Sequence, residues 1–413
     1  MSTDSASPEL EARVEEQLAA MREGSVDFYG EAELRPRLAA ALREGRPLRV
    51  KLGMDPSSPD LHLGHTVVLM KLRCFQDLGH TPIFLIGDFT ARIGDPSGRS
   101  KTRPALDEEE IEANAETYVQ QVSKILDVDR AEVRFNSEWM SRMTPADFVR
   151  LCSHYTVARL LERDDFAKRY AAETPIFAHE FLYPFVQAYD SVALRADIEL
   201  GGSDQTFNLL MAREIQRDYG QPAQAVITHP LLVGTDGRDK MSKSLGNCIG
   251  ISDSPENVYG KVMSIPDSLL TDYVETLGAG EWPDLCADCR EPERGDPMAI
   301  KKELALRLVT RLHGAEAARL GEEHFSKVVQ RRDIPDEVPE HTLSLGDSGE
   351  MGLLEIVEKL ELTPTRAETR RLVKQRAIAI DGERIEDPTL GLQAGTFLLR
   401  VGKRRFARVT LIG

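Results

Sequence analysis

Cysteine is scarce in this chain: five residues in 413, an odd number, at Cys74, Cys152, Cys248, Cys286 and Cys289. So few thiols in so long a chain do not make a disulfide framework, and a reducing compartment is the expectation. No apolar run approaches the ~18 residues that a membrane span needs. From Met1 to Leu18 there is no apolar core either, and Asp4, Glu9, Glu11, Glu15 and Glu16 stand there instead, so this stretch does not read as a secretory signal. A cytoplasmic protein without membrane association is expected. Aromatic residues are only 6%, but 41% hydrophobic and 29% charged residues are ordinary for a folded chain and exclude wholesale disorder. Positive charge is also in deficit. A net charge of −16 argues against a protein that coats nucleic acid over its whole surface.

That deficit is uneven. From Leu362 to Gly413 lie 11 of the 52 Lys and Arg but only 5 of the 68 Asp and Glu, a local net of +6 beside a remainder of −22. An acidic body with a basic tail suits a machine that grips an anionic polymer at one place and repels it elsewhere.

Strand and helix patterns alternate through the first half of the chain. Leu10, Val14, Leu18 and Met21 recur at helical spacing and predict an opening amphipathic helix. Short apolar runs at Leu48 to Leu52, Pro82 to Ile86, Val133 to Phe135 and Ala225 to Thr228 read as strands. Helices are expected from Gly64 to Leu78, stopped by Gly79, and from Asp107 to Leu126, with Ile111, Tyr118, Val122 and Ile125 inward. This alternation predicts an α/β fold with a doubly wound parallel sheet and ligands at the carboxyl ends of its strands. From Asp253 to Gln330 the pattern turns helical, with a stripe of Ile300, Leu304, Leu308 and Leu312. Residues 331–350 hold two prolines, two glycines and six acidic residues and read as a linker. Met351 to Gly413 then fits a small α+β module, with strands at Ile378 to Ile380 and Thr396 to Val401.

Two segments carry chemistry. Between the first long strand and its helix stands Pro56-Ser57-Ser58-Pro59-Asp60-Leu61-His62-Leu63-Gly64-His65. Backbone N–H groups at a helix start favour an anion. His62 and His65, three apart, can face one phosphate, and Gly64 lets a flat base approach the backbone. Taken alone, the histidines also read as helix caps. The second segment is Lys240-Met241-Ser242-Lys243-Ser244, preceded by Gly234 to Asp239 and followed by Gly246-Asn247. Its lysines are point charges on flexible stems that can close over a polyphosphate, or else lie on a solvated turn.

Together these segments resemble the two signatures of class I aminoacyl-tRNA synthetases, which activate an amino acid with ATP and pass it to tRNA. The resemblance implies that His62 and His65 stabilise charge on the ATP α-phosphate and that Lys240 and Lys243 hold the departing pyrophosphate. Ser57 falls at a phosphate-contacting position. ATP would come with Mg²⁺ as its counter-ion, and catalysis would be positioning plus electrostatics.

Tyr183, Gln187 and Asp190 share one face of an expected helix. Pro184 is tolerated there if that helix begins near Tyr183. Gly201-Gly202-Ser203-Asp204-Gln205 and Gly94-Asp95-Pro96-Ser97-Gly98 are loops that allow close backbone approach. This set resembles the tyrosyl-tRNA synthetase pocket. The resemblance implies that Asp190 accepts from the substrate phenol, that Tyr183, Gln187 and Asp95 hold its ammonium group, that Asp204 binds ribose, and that Gln205 meets the carbonyl region. Many family members have a tyrosine on the phenol where this chain has Lys51. A charged lysine cannot accept a hydrogen bond, so half of the phenol recognition is left open, as is what Lys51 contacts.

In the tail, Arg370, Arg371 and Lys374 crowd one side of an expected helix, and Ile378 to Gly382 follow as strand and tight turn, with Lys403-Arg404-Arg405 and Arg408 nearby. This resembles the alpha-L RNA-binding module and implies phosphate contacts to tRNA. The implied layout is a Rossmann-like catalytic domain over 1–235 with an inserted helical segment, the lysine loop at 236–250, and a helical anticodon-side domain at 251–330. A linker at 331–350 and the RNA-binding domain at 351–413 complete it. Implied partners are tRNA(Tyr), L-tyrosine and ATP, in a homodimer with tRNA across both subunits. The rival readings are a ligase for another aromatic amino acid such as tryptophan, and an RNA-binding paralogue without catalysis. Cys286 and Cys289 lack a second cysteine pair, so no zinc site is assigned to them.

Overall fold

The computed structural model describes residues 7–96, 108–290, 296–330, 338–345, 349–360, 362–363, 365–381, 383–402 and 405–412. Ser97, Gly98, Asp107, Gly382, Lys403 and Arg404, and the stretches 331–337 and 346–348 of the expected linker, lie outside them. The chain divides into two compact units, Met1–Glu322 and Glu323–Gly413.

In the first unit the apolar runs form a six-stranded sheet: β1 (Asp27–Tyr29), β2 (Arg49–Met54), β3 (Thr81–Ile86), β4 (Glu132–Phe135), β5 (Ile198–Gly202) and β6 (Ala225–His229). The spatial order is β1-β6-β5-β2-β3-β4, parallel from β6 to β4 with β1 antiparallel at one edge. β6 is buried throughout and β3 in all but its first residue, as a sheet covered on both faces requires. From β2 the chain moves outward to β3 and β4, then returns to the other side of β2 to lay down β5 and β6. The direction of winding therefore reverses at β2 and β5, and the crevice beyond their carboxyl ends is the expected ligand position.

Three helices frame that crevice: α1 (Leu63–Asp77) after β2, α2 (Leu182–Leu194) before β5, and α3 (Thr206–Asp218) after it. Pro184 is the third residue of α2, where its missing N–H breaks no helical bond. The expected opening helix spans Pro8–Arg22 and buries Val14, Leu18 and Met21. After β6 come helices, among them Pro297–His313, which buries Ile300, Leu304, Leu308 and Leu312.

The second unit holds a five-stranded sheet with spatial order Glu383–Arg384, Ile378–Ile380, Gly395–Val401, Arg405–Ile412, Glu340–Ser344. Leu353, Ile356, Val357, Val373, Leu399 and Val409 are among its buried core. The last strand differs from the sequence expectation. Glu340–Ser344 lies within the expected linker yet pairs in parallel with Arg405–Ile412. Its pattern exposes every second residue, Glu340, Thr342 and Ser344, while Leu343 packs on the core, so a polar outer face hid a strand that needs few apolar residues.

Candidate active site

The turn after β2 delivers both histidines to one spot. His62 stands immediately before α1, and two hydrogen bonds tie it to His65, one between backbones and one from backbone to ring. His65 N–H donates to His62 O at 2.9 Å, and His62 N–H donates to His65 Nδ1 at 3.1 Å. The two rings lie 3.9 Å apart between centroids. Because His65 Nδ1 accepts, the proton of the neutral ring sits on Nε2, free to donate to an anion. Burial, then the neighbouring lysines, push His65 down to about 4. His62 falls to about 2 through burial, His65, Lys243 and Lys240, in that order. A Cβ at Gly64 would press on the His62 ring at 3.0 Å, so the glycine keeps that imidazole in place.

The lysine segment follows β6 in the chain and is sewn to the same turn. Leu63 N–H donates to Ile249 O at 2.9 Å and Ile251 N–H to Leu61 O at 3.0 Å, closing an antiparallel bridge between His62 and Gly250. Within the loop, buried Asn247 acts as a staple. Its Nδ2 donates to Asp236 Oδ2 at 2.8 Å, and its Oδ1 accepts from Ser242 N–H at 2.8 Å. Lys240 Nζ reaches Asp204 Oδ2 at 2.7 Å, and Lys243 Nζ pairs with Asp60. Two segments far apart in sequence thus place imidazoles and ammoniums around one spot, beside the Asp204 carboxylate. Ser57 lies in the same turn, where its N–H donates to Asp55 O at 2.7 Å.

A second cluster lies along α2. Asp190 is 2% exposed. Its Oδ1 accepts from Trp139 Nε1 at 2.8 Å and its Oδ2 from Asn136 Nδ2 at 3.3 Å. Burial pushes this carboxyl up to about 7 against the opposing pull of Lys51 and of those two donors. Gln187 Oε1 accepts from Asn208 Nδ2 at 2.8 Å, and the same amide donates to Gln205 Oε1 at 3.0 Å. Gln205 Nε2 donates to Asp95 Oδ2 at 3.0 Å. Asp95, Gln187 and Gln205 therefore form one chain through Asn208, with Arg163 Nη2 3.5 Å from Asp95 Oδ1. Tyr183 turns its hydroxyl onto Asp55 Oδ2 at 3.0 Å, and burial beside that carboxylate holds the phenol well above its usual range.

Lys51 has a partner that the sequence did not reveal. It is fully buried, and its Nζ meets Glu199 Oε1 at 2.8 Å across the β2–β5 register. Sequence reading also passed over Asp55, Thr90, Asn136, Trp139 and Asn208. Position is the signal that could have found three of them: Asp55 follows β2, and Asn136 and Trp139 follow β4, at the carboxyl ends of parallel strands. Gly87 belongs with them, since a Cβ there would collide with both Asp55 and Thr90, which are themselves hydrogen-bonded at 2.7 Å. In the second unit, Arg370, Arg371 and Lys374 are exposed on the helix Arg366–Lys374, with Arg371 loosely paired to Glu368 at 3.9 Å. Cys286 and Cys289 lie on the helix Pro283–Arg290, and burial raises both thiols.

The model of the class I tRNA synthetases (W and Y) matches residues 43–330. The tyrosine–tRNA ligase of Bordetella avium is 50% identical over 405 residues, covering 98% of this chain and 97% of that one. The tyrosine–tRNA ligase of Oleidesulfovibrio alaskensis is likewise 50% identical, over 96% of this chain and 99% of its own. Among solved structures, tyrosyl-tRNA synthetase complexed with L-tyrosine from Archaeoglobus fulgidus superposes with a TM-score of 0.62 at 25% identity, covering 75% of this chain and 99% of that one. With a family model over most of its length and relatives at half identity from end to end, this chain belongs to the tyrosyl-tRNA synthetases of the class I aminoacyl-tRNA synthetase family.

Proposed function

We infer that the protein is a tyrosine–tRNA ligase working in two steps at the crevice beyond β2 and β5. In the first, the tyrosine carboxylate attacks the α-phosphorus of ATP, forming tyrosyl adenylate and releasing pyrophosphate. In the second, a hydroxyl at the tRNA 3′ end attacks the tyrosyl carbonyl, and AMP leaves. The observation that carries this reading is the backbone bridge joining the His62–His65 turn to the Lys240–Lys243 loop. No side chain becomes covalently attached, so the protein acts by alignment and by charge fixed in advance. His62 and His65 donate to the α-phosphate, Lys240 and Lys243 draw the pyrophosphate away, and Ser57 and Gly64 border the nucleotide. Asp204 takes the ribose, and Mg²⁺ enters as the counter-ion of the triphosphate.

In the amino-acid pocket, Asp190 accepts from the phenol, while Tyr183, Gln187 and Asp95 hold the ammonium group and Gln205 lies along the carbonyl. A homodimer is part of this reading. Val149, Val157, Tyr170 and Phe177 are apolar or aromatic side chains left 55–70% exposed on the helical segment between β4 and α2, which favours burial against a second copy. The cytoplasm is the proposed location, and no helix among the described residues is long and apolar enough to cross a membrane. Residues 251–330 are assigned to the anticodon side of the tRNA and 351–413 to RNA binding. Charging of tRNA(Tyr) with labelled tyrosine tests the whole sequence; adenylate formation without charging would refute the second step.

Arg370, Arg371 and Lys374 give a sharper test of the tail. Replacing all three with alanine should weaken tRNA binding and flatten the slope of log affinity against log salt by roughly 2–3. Tyrosine-dependent ATP–pyrophosphate exchange should not change. An unchanged salt slope would remove this helix from the RNA interface.

A further inference from the structure

By the family resemblance, Lys51 stands where many members have a tyrosine on the substrate phenol, yet its ammonium is already committed. Nζ meets Glu199 Oε1 at 2.8 Å, Ser191 Oγ at 2.7 Å and Gln187 O at 3.3 Å. Three acceptors use the three donors of an ammonium, leaving none for a substrate. Two of those acceptors, on residues 187 and 191, bracket Asp190 on α2. Ser191 Oγ in turn donates to Glu199 Oε2 at 3.0 Å, and Gln224 Nε2 donates to the same oxygen. Lys51 and Glu199 are both essentially inaccessible to water, and each is the other's register partner across β2 and β5. Such a pair is costly to bury and is weak evidence of stability for its own sake. Its position beneath Asp190 calls for another role.

We propose that the buried Lys51–Glu199 pair is a specificity device: it locks the turn of α2 that carries Asp190 and sets a positive field beneath that carboxylate, so that Asp190 selects a phenolic hydroxyl without a tyrosine partner. Lys51 and Glu199 are positioning residues and touch no substrate. The inference rests on the reading that Asp190 binds the phenol. The charged groups facing Asp190 are Lys51 from β2 and Glu199 from β5. Beyond its two neutral donors, Arg134 lies over the Trp139 ring at 5.7 Å and Asp88 accepts from Ser137 N–H at 2.9 Å. Lys51 favours the ionised form of Asp190 more strongly than Glu199 opposes it. The carboxylate form is the one that can accept from Trp139, Asn136 and the phenol together; a protonated carboxyl would lose one of them.

The test compares the KM for tyrosine from pH 5.5 to 9 in the full-length wild type and in Lys51→Met/Glu199→Gln, Glu199→Gln and Asp190→Asn, with thermal melts of each. In the wild type, KM should rise as pH falls through about 7, because tyrosine needs the ionised carboxylate. In the double variant that rise should begin about one pH unit higher, with KM at pH 7 up roughly fivefold and kcat little changed. In Glu199→Gln the rise should move to lower pH. Phenylalanine activation should be insensitive in both variants, so selectivity at pH 7 falls in the double variant and recovers near pH 9. A folded double variant with the wild-type pH profile overturns the proposal, and so does an equal, pH-independent loss of kcat and KM. If the double variant melts below the assay temperature, Glu199→Gln decides alone, and an unmoved or upward inflection overturns the proposal. An Asp190→Asn variant that keeps wild-type selectivity overturns the Asp190 reading itself, whatever the other variants do.

Discussion

Replacing His65 with alanine should slow tyrosine-dependent ATP–pyrophosphate exchange by about 10²–10³-fold while leaving the KM for tyrosine within about twofold, the pattern of a donor that matters only in the transition state. The geometry gives the reason. His65 Nδ1 is occupied by the His62 N–H, so the ring has one free donor, Nε2, and its orientation is fixed by the backbone rather than by a flexible chain. Its proton is present at neutral pH without a positive charge, since burial has pushed the imidazole down to about 4 and that of His62 to about 2. Both groups titrate well below neutrality. At saturating tyrosine and ATP, kcat for adenylate formation should therefore show no histidine inflection between pH 6 and 8. A pH–rate profile with a break of that kind in the wild type, abolished in the variant, would mean that a protonated imidazolium does the work.

The second large effect is on selectivity. Asp190→Asn should lower kcat/KM for tyrosine by about 10²-fold, the weight of a hydrogen bond to a buried charged acceptor, and leave phenylalanine activation nearly unchanged. Part of that loss arises within the pocket itself. An asparagine can satisfy Trp139 Nε1 with its oxygen, but then turns an amide N–H toward Asn136 Nδ2, donor against donor. A site built to bond a hydroxyl rejects the analogue that lacks one, and tyrosyl-tRNA synthetases are the standing example of that rule. Competition between the two amino acids in the exchange assay reads the change directly. A uniform decline for both substrates would instead assign Asp190 to the architecture of α2.

Sequence pattern revealed the parts of the site that are contiguous. The apolar runs that became β2 and β3, the helix stopped by Gly79, and the His62–His65 and Lys240–Lys243 segments all follow from local rules of burial, turn chemistry and spacing. β5 escaped because Glu199 interrupts its apolar run, and no local rule says that a carboxylate in a buried strand will be neutralised by Lys51 from the strand beside it. The strand at Glu340–Ser344 escaped for a related reason: one face of an edge strand needs few apolar residues, and its acidic neighbours mimic a linker. Asn136, Trp139, Asn208 and Asp55 could not be found by periodicity at all. Each acquires its role from a partner more than ten residues away, so the hydrogen-bond chains through Asp190 and through Gln187–Asn208–Gln205–Asp95 exist only in three dimensions. The family resemblance placed Asp95, Gln187 and Gln205 in one pocket; Asn208, the residue that links them, came from the fold.

The most direct measurement is amino-acid-dependent ATP–pyrophosphate exchange by the purified full-length chain, with each of the twenty amino acids offered separately. The expected result is exchange with tyrosine alone, lost when Lys243 or His65 is replaced. Exchange with tryptophan and none with tyrosine would contradict the assignment of the Asp190 pocket. Binding of tRNA with no exchange for any amino acid would contradict the claim that the two joined segments activate ATP.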